Sequence, residues 1–332
     1  PVSAGFKNSV TKNNDKIVKD VSLIYGNQSI VGGINLMTDS NNFSMLNYDI
    51  DPISFAKKLV DLGVGEIKIT FVNLEGSRKG FNLNICEKFL IPYHYELLNE
   101  KTKSYNFLAS YNIDLIYCFG WSYLLSDEIL SLPRLGVVGF HPAKLPKNRG
   151  RHPIIWAIAL GLKETASTFF KMDSGVDSGP ILSQKNIKMY ADEYAVDLYD
   201  RVIDAALDQV KTLTLEFVKN EVNPIVQDET RATYWRKRSR ADGLIDWRMS
   251  AQTIYNLIRA LAPPYPCAEF RFGEKFIKVS KCSIILGKFP ENIEPGYILE
   301  KGTNSLLVKV EGSDAVLLEH IEYDLNDGRD YI

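Results

Sequence analysis

Residues 139–158 read GFHPAKLPKNRGRHPIIWAI, and they continue the apolar run LGVVGF at 135–140. That run predicts a buried strand that ends at His141. The carboxyl ends of strands in α/β sheets are where ligands bind, so the sequence predicts a ligand site at this edge. An imidazole is suited to proton transfer near neutral pH, and Pro142, with its fixed φ, stiffens the turn. On position alone, a histidine with a purely structural role is an equal alternative.

The composition indicates an ordinary globular protein. The chain has 332 residues, of which 45% are hydrophobic and 24% charged, and its net charge is −2. This charge gives no general attraction to nucleic-acid backbones or anionic membranes. The cysteines form no CxxC pair, which favours a reduced, cytoplasmic protein without a disulfide framework or metal site; they are Cys86, Cys118, Cys267 and Cys282. No apolar run is long enough for a membrane span, and a first residue Pro1 instead of Met indicates a trimmed or incomplete N-terminus.

The first part of the chain, up to about residue 88, alternates strand and helix patterns. Strand patterns cover residues 29–36 and 65–76, and a helix pattern lies between them at 51–63. Asp51 is a suitable N-cap for this helix because Pro52 can occupy its first position. The β-α-β order predicts two parallel strands.

The rest of the chain contains two further regions. Strand and helix patterns alternate between about 89 and 220, with strands at 112–121 and 135–140 and helices at 126–133, 153–161 and 192–220. The third region has one helix pattern at 251–262 and then short strand patterns at 268–272, 276–286, 295–300, 305–310 and 315–321. Short strands at this spacing are typical of a small barrel or sandwich. The fold class is therefore α/β, with a parallel-sheet core and a C-terminal β domain.

A second polar cluster, KMDSGVDSGPIL at 171–182, interrupts an otherwise apolar segment. Its glycines favour a tight loop, and its aspartates place carboxylates at a strand end. A solvated turn is the alternative interpretation.

These motifs together resemble the folate-dependent formyltransferase family. The match consists of the strand, the loop and helix at 141–158, and MDSGVDSGPIL at 172–182. RADGLIDW at 240–247 and EPGYILE at 294–300 resemble the C-terminal barrel of the tRNA and amino-sugar branches. The resemblance implies a Rossmann-like catalytic domain at 89–235 and a small OB-like barrel at 236–332. This C-terminal extension argues against the single-domain glycinamide ribonucleotide branch.

The resemblance places the family's catalytic histidine on His141 and its catalytic aspartate on Asp177, with 10-formyltetrahydrofolate as formyl donor. In such a reaction, His141 hydrogen-bonds the oxyanion or relays a proton, while Asp177 holds the imidazole. The family pattern is Asn-x-His, whereas this chain has Gly139, Phe140 and His141. Loss of one oxyanion donor costs about 2.7–4 kcal/mol of transition-state stabilisation. Another donor near Gly139 must replace the amide, or the enzyme is slow or inactive.

Other residues receive predicted binding roles. Arg149 and Arg151 are suited to clamp a substrate phosphate, with an ordinary surface loop as the alternative. The resemblance places the folate beside Gly120, Trp121, Pro142 and Leu145, although a core aromatic is the commoner role for a residue such as Trp121. His152, next to Pro153 at a helix start, is expected to be structural.

The acceptor is predicted to be a nucleotide-linked amino sugar, with charged initiator tRNA as runner-up. Residues 236–332 contain 14 Lys and Arg and 14 Asp and Glu, a poor charge balance for following a tRNA backbone. The basic run RKRSR at 236–240 is interpreted as a solvated linker at a domain junction. The oligomeric state stays open, a homodimer included.

Residues 2–85 resemble part of a different family, the cyclase subunit of imidazole glycerol phosphate synthase, a (β/α)8 barrel. The aspartates of that family correspond to Asn35 and to Asn73 or Glu75 here. A neutral amide cannot act as a general base, so cyclase activity is not expected. Two interpretations of residues 1–88 follow. The segment is a partial barrel that stems from a gene fusion or an incomplete reading frame, or it replaces the missing half of the formyltransferase sheet. An inactive binding or scaffold module is the third hypothesis for the whole chain.

Overall fold

The computed structural model describes residues 31–38, 43–45, 51–61, 66–71, 101–121, 123–287, 289–321, 328 and 330–332. Contacts within the chain divide it into two units, Pro1–Asn99 and Glu100–Ile332. Each unit is described by itself below.

In the first unit, strand β1 (Val31–Thr38) pairs in parallel with β3 (Glu66–Phe71), and helix α1 (Pro52–Asp61) lies between them in sequence. The Ser54 N–H donates to Asp51 Oδ2 at 2.8 Å, so the predicted N-cap and the predicted parallel pair are confirmed. A short strand that the sequence did not predict, β2 (Phe43–Met45), runs antiparallel to β1. The predicted helix end at Gly63 lies outside the described residues.

The second unit is built around a four-stranded sheet in the order β4–β5–β7–β8. Its strands are Ile116–Cys118 (β4), Val137–His141 (β5), Glu164–Lys171 (β7) and Ile181–Lys188 (β8). Strands β4 and β5 are parallel, as predicted, whereas β7 is antiparallel to both β5 and β8. Strands β7 and β8 are antiparallel because residues 172–180 connect them directly as a hairpin loop, which is too short for a parallel crossover.

Helices flank this sheet. Their bounds are Lys101–Ala109 (α2), Asp127–Ser131 (α3), Pro153–Ala159 (α4) and Ala195–Lys219 (α5). Helix α5 packs Leu213 against Val138 and Phe169, which anchors it to the central strands. At its start, the Asp197 carboxylate accepts the Tyr194 N–H at 2.8 Å, a position where an acidic group also complements the helix dipole.

The C-terminal part consists of one helix and short antiparallel strands. Two-residue strands β6 (Arg149–Gly150) and β9 (Tyr234–Trp235) pair in parallel ahead of helix α6 (Ala251–Leu261). The strands that follow are Ala268–Phe272 (β10), Lys275–Val279 (β11), Lys281–Ile285 (β12), Ile298–Lys301 (β13), Ser305–Lys309 (β14) and Ala315–Glu319 (β15). Strands β10 and β11 form a hairpin, and the other four form a sheet in the order β12–β15–β14–β13. Each predicted strand segment of this region contains a strand.

One apolar core joins the two halves of the second unit. Ile158 of α4, Leu198 of α5 and Ile258 of α6 are buried in the same cluster as Val308 and Leu318 of the C-terminal sheet. The loop after β5 is therefore held between two packed layers. Among the helices within the described ranges, none combines the length and apolar character needed to cross a membrane.

Candidate active site

His141 is the last residue of β5, and it is buried with 5% of its surface exposed. Its Nε2 lies 2.8 Å from the Asn148 carbonyl oxygen, and its Nδ1 lies 3.5 Å from Asp177 Oδ2. A carbonyl can only accept a hydrogen bond, so Nε2 carries a proton and donates it. The other ring nitrogen faces the Asp177 carboxylate. The ring is therefore held between a main-chain acceptor and a carboxylate.

Asp177 reaches His141 from the loop between β7 and β8. Its backbone has φ +51°, a left-handed conformation that aspartate adopts more readily than most residues. Oδ2 accepts the Gly150 N–H at 2.8 Å. The main-chain oxygens of Asp177 and Gly179 both accept from Gln227 Nε2, at 2.8 and 2.6 Å. The carboxylate is therefore fixed by its side chain and by its backbone.

This arrangement can hold and move a proton. The predicted pair of His141 and Asp177 lies together at the carboxyl edge of β5, although the residues are far apart in sequence. The Asp177 carboxylate orients the imidazole, and the ring can donate to an oxyanion or carry a proton away from an amine once Nε2 exchanges the Asn148 carbonyl for a substrate atom.

Arg149 is buried, whereas the sequence predicts that it clamps a substrate phosphate. Its side chain is 0% exposed, and its guanidinium forms two bonds to the Glu229 carboxylate, at 2.6 and 2.9 Å. It also donates to Gln227 Oε1 and to the Tyr234 hydroxyl. The hydrogen bonds to Glu229 raise the pKa of Arg149, and they hold the pKa of Glu229 below its usual value. A phosphate clamp at Arg149 is at odds with this geometry because protein groups occupy its donors.

Arg151 remains close to the catalytic pair through its backbone. Its N–H donates to the Trp235 carbonyl at 3.1 Å, next to Gly150, whose N–H binds Asp177. Gly150 has φ +102°, and a Cβ there would lie 2.3 Å from the Trp235 oxygen. Only glycine allows β6 and β9 to approach this closely. The role of Arg151 in substrate binding stays a prediction.

Comparisons with known proteins identify the family of the chain. The formyl transferase family matches residues 84–212, the formyl transferase C-terminal domain matches residues 237–327, and the histidine biosynthesis protein family matches residues 2–97. A methionyl-tRNA formyltransferase of Staphylococcus epidermidis is 32% identical over 238 residues, which are 72% of this chain and 76% of that protein. The chain belongs to the formyltransferase family. It is an enzyme that transfers formyl groups, and its first part resembles a histidine biosynthesis protein.

Other relatives of this formyltransferase are longer or more distant. The bifunctional polymyxin resistance protein ArnA of Wigglesworthia glossinidia brevipalpis is 32% identical over 275 residues. The match covers 82% of this chain but only 42% of the length of that relative. HypX from Aquifex aeolicus, in complex with tetrahydrofolic acid, has a TM-score of 0.56 at 16% identity, covering 80% of this chain and 40% of that one. The N-formyltransferase from Helicobacter canadensis, in complex with folinic acid and dTDP-3-aminofucose, has a TM-score of 0.55 at 14% identity, covering 87% of this chain and 98% of that one. At these identities, the two structures show a shared fold.

Gly139 stands where the Asn-x-His pattern has its asparagine, and the side chains packed around it leave little space there. It pairs with Phe170 across β5 and β7, and a Cβ on Gly139 would lie 2.8 Å from Phe170 Cζ and 2.9 Å from Met172 Cγ. Phe170 is itself buried, in a cluster with Leu145 and Ile181. The tip of the Phe170 ring and the Met172 side chain therefore stand against the place of a Cβ at position 139, and any side chain there requires them to move.

The predicted folate-binding residues fall into two groups. Gly120 and His141 each lie two residues beyond the paired residues Cys118 and Gly139 of the parallel strands β4 and β5, so both lie at one sheet edge. Trp121, with 42% of its surface exposed, follows Gly120 and contacts Tyr123 edge to face at 6.1 Å. An exposed aromatic side chain near this sheet edge suits the flat pterin ring of a folate, and folate binding at Trp121 stays a prediction.

Pro142 and Leu145 form the second group. Pro142 is partly buried, and its carbonyl accepts from the Thr165 hydroxyl at 3.2 Å. Leu145 is buried against Phe170 and Ile181, and its carbonyl accepts from Gln184 Nε2 at 3.0 Å. A direct folate contact by the Leu145 side chain is at odds with this burial, so its place is in the support of the loop.

The residues that support the site were not predicted from the sequence. Asn148 binds His141 through its carbonyl, and Gln227 and Glu229 fix Asp177 and Arg149. A main-chain contact such as that of Asn148 has no side-chain signature. Gln227 lies in the polar segment NPIVQDET at 223–230, whose lack of periodicity predicts an ordinary loop.

Proposed function

We propose that this formyltransferase moves the formyl group of 10-formyltetrahydrofolate to the amine of a nucleotide-linked amino sugar. The observation that carries this proposal is the pair formed by His141 and Asp177, 3.5 Å apart at a strand end. The likeness to folds solved with tetrahydrofolic acid and folinic acid supports a folate as the donor.

In this proposal, the amine nitrogen of the sugar attacks the formyl carbon and forms a new C–N bond. The formyl oxygen becomes an oxyanion, which a proton on the His141 ring stabilises. The bond between the formyl carbon and the folate nitrogen then breaks, and the folate nitrogen takes a proton as the amine loses one. His141 relays this proton, and Asp177 stabilises the imidazolium while it is charged.

Two observations support a sugar as the acceptor. The likeness to the Helicobacter canadensis N-formyltransferase covers 98% of that chain, and that structure contains dTDP-3-aminofucose. The equal numbers of acidic and basic residues in 236–332, 14 of each, leave this part without a net positive charge to attract a tRNA backbone. Charged initiator tRNA remains the second candidate because the Staphylococcus epidermidis methionyl-tRNA formyltransferase is 32% identical to this chain.

The experiment offers the purified protein 10-formyltetrahydrofolate with either a panel of amino sugars on dTDP and UDP or methionyl-tRNA. Mass spectrometry of the acceptor measures formylation. We expect transfer to at least one nucleotide-linked amino sugar and none to the tRNA. Turnover with methionyl-tRNA alone would reverse the order of the candidates, and a folded protein that binds folate but formylates no acceptor would support the scaffold hypothesis.

A further inference from the structure

The basic run RKRSR at 236–240, interpreted as a solvated linker, is exposed except for the half-buried Arg238, and two of its arginines also pack on Trp156. The guanidinium carbons of Arg236 and Arg238 lie 5.3 and 4.8 Å from the ring centroid of Trp156, and the Trp156 Nε1–H donates to the Arg236 carbonyl at 3.0 Å. Stacking on an aromatic ring fixes a guanidinium at little further entropic cost on binding. The run is therefore an ordered cationic surface.

Nearby carboxylates are already engaged with other partners. Asp242 binds Arg236 and also accepts the Ser239 N–H at 2.6 Å, while Glu269 binds Arg240. Arg238 donates to the main-chain oxygen of Asp242, a contact that leaves its positive charge in place. Lys237 is exposed between these two arginines. Positive charge thus remains available at Lys237 and Arg238.

This surface adjoins the catalytic pair. The Gly150 N–H binds Asp177, the next N–H binds the Trp235 carbonyl, and Arg236 follows Trp235 directly. The pKa of His152 is lowered, first by burial and then by the charges of Arg151, Arg238 and Lys237. The pairing of β6 with β9 therefore brings the backbone of Arg151 next to the start of the basic run, beside the loop that holds Asp177.

We propose that Lys237 and Arg238, together with Arg151, bind the diphosphate of the acceptor substrate. This proposal rests on the proposed function, because it assigns the diphosphate of a nucleotide-linked sugar to a site next to Asp177. A guanidinium pairs with two phosphate oxygens, and an ammonium adds a mobile point charge. The surface spans only a few residues, which suits a diphosphate better than a long nucleic-acid backbone.

Calorimetry tests the site without requiring turnover. The probes are UDP, dTDP and inorganic pyrophosphate, titrated into wild-type protein, Lys237→Gln, Arg238→Gln and the double variant. The matched control is Arg271→Gln, since Arg271 is an exposed arginine of β10 whose partner is Glu274. We expect saturable binding by wild type and by the control, and at least a tenfold higher Kd for the double variant. Arg238→Gln loses the stacking on Trp156, so the exposed Lys237→Gln variant gives an independent test in a protein that keeps its fold.

Two results would overturn the diphosphate site. One is absence of saturable binding by folded wild-type protein, and the other is equal affinity of wild type and Lys237→Gln. Formylation kinetics distinguish a failure of the diphosphate site from a failure of the proposed function. Sugar formylation with an unchanged acceptor KM in Lys237→Gln would contradict the diphosphate site alone. Diphosphate binding that weakens in the variants, without formylation of any sugar nucleotide, would contradict the proposed function alone.

Discussion

At the scale of single residues, the contact between Gly139 and Phe170 sets the local chemistry of the site. The ring tip lies where a Cβ at position 139 would stand. The oxyanion donor therefore has to come from groups other than a side chain at 139, and His141 is placed to supply it. The same contact gives a direct test of the structure.

We expect Gly139→Ala to lower the free energy of unfolding by about 1–3 kcal/mol through overpacking. Phe170→Leu removes the ring tip, so the double variant should be more stable than the sum of the two single losses predicts, by about 0.5–3 kcal/mol. Urea unfolding of the four proteins measures this coupling. Strictly additive losses would mean that the two residues do not compete for space.

For the histidine, we expect His141→Ala to reduce kcat by about 10²–10⁴-fold, since the proposed mechanism assigns to this side chain the hydrogen bond to the oxyanion and the proton relay. The variant should keep its circular dichroism spectrum. Its folate binding should also persist, because the predicted folate surface lies at Gly120 and Trp121. Retained turnover would show that another residue carries the reaction.

At the scale of elements, the loop between β7 and β8 depends on Gln227, which lies outside the sheet. Its side chain binds two carbonyls of the loop and accepts from Arg149. We expect Gln227→Ala to cost about 1–3 kcal/mol of stability and to lower kcat, because buried polar groups lose partners and Asp177 loses its backbone support. Chemical unfolding and steady-state kinetics measure the two effects.

Gln252→Ala is the matched control for this element, since Gln252 is exposed on α6 and bonds only locally to Asn256 in the contacts described. Gln252→Ala should change neither the free energy of unfolding nor kcat appreciably. If the two glutamine variants behave alike, Gln227 does not position the catalytic loop.

The sequence predicts elements whose signals are local. Asp51 and Pro52 mark the start of α1, and the run AEFRF coincides with strand β10 at Ala268–Phe272. Contacts between distant segments have no such signal. Arg149 and Glu229 lie 80 residues apart, so a loop arginine that suggests a phosphate clamp is buried by a partner the pattern does not reveal. The pairing of His141 with Asp177 came from the family resemblance, and its distances came only from the fold.

At the scale of the whole molecule, the second unit shares one core between its sheet and its C-terminal strands. Cys282 of β12 is buried in this core, and burial, with a smaller effect of Glu319, raises the pKa of its thiol to about 12. An unfolded thiol titrates near pKa ~8.5. The unfolded chain therefore releases a proton in the range where the folded chain keeps it.

The buried thiol therefore makes a contribution to the free energy of unfolding that is fully present below pH ~8.5. This contribution is lost as the pH rises toward 12, because the raised pKa disfavours ionisation in the folded state. We expect the unfolding free energy of wild type to fall more steeply than that of Cys282→Ala between pH 9 and 10.5, by about 1.4 kcal/mol per pH unit. Denaturant unfolding at several pH values measures both slopes. Parallel slopes would mean that the thiol is hydrated in the folded protein.

The first unit matches a different family from the second. Residues 2–97 match the histidine biosynthesis protein family, and Asn35 lies within β1, opposite Thr70 of β3. The other counterparts of the cyclase aspartates, Asn73 and Glu75, lie outside the described residues. We propose a division into residues 1–88, 89–235 and 236–332, in which the last two parts carry the formyl transfer.

We propose that His141 and Asp177 act together in formyl transfer to a sugar amine. The most direct test of this proposal is the single-turnover rate of wild type and Asp177→Asn, with 10-formyltetrahydrofolate and a nucleotide-linked amino sugar both saturating. The asparagine oxygen can still accept the Gly150 N–H, so the loop keeps this contact while the imidazole loses its carboxylate. We predict measurable transfer by wild type and a rate at least about 100-fold lower in the variant. Equal rates in the two proteins would contradict the account.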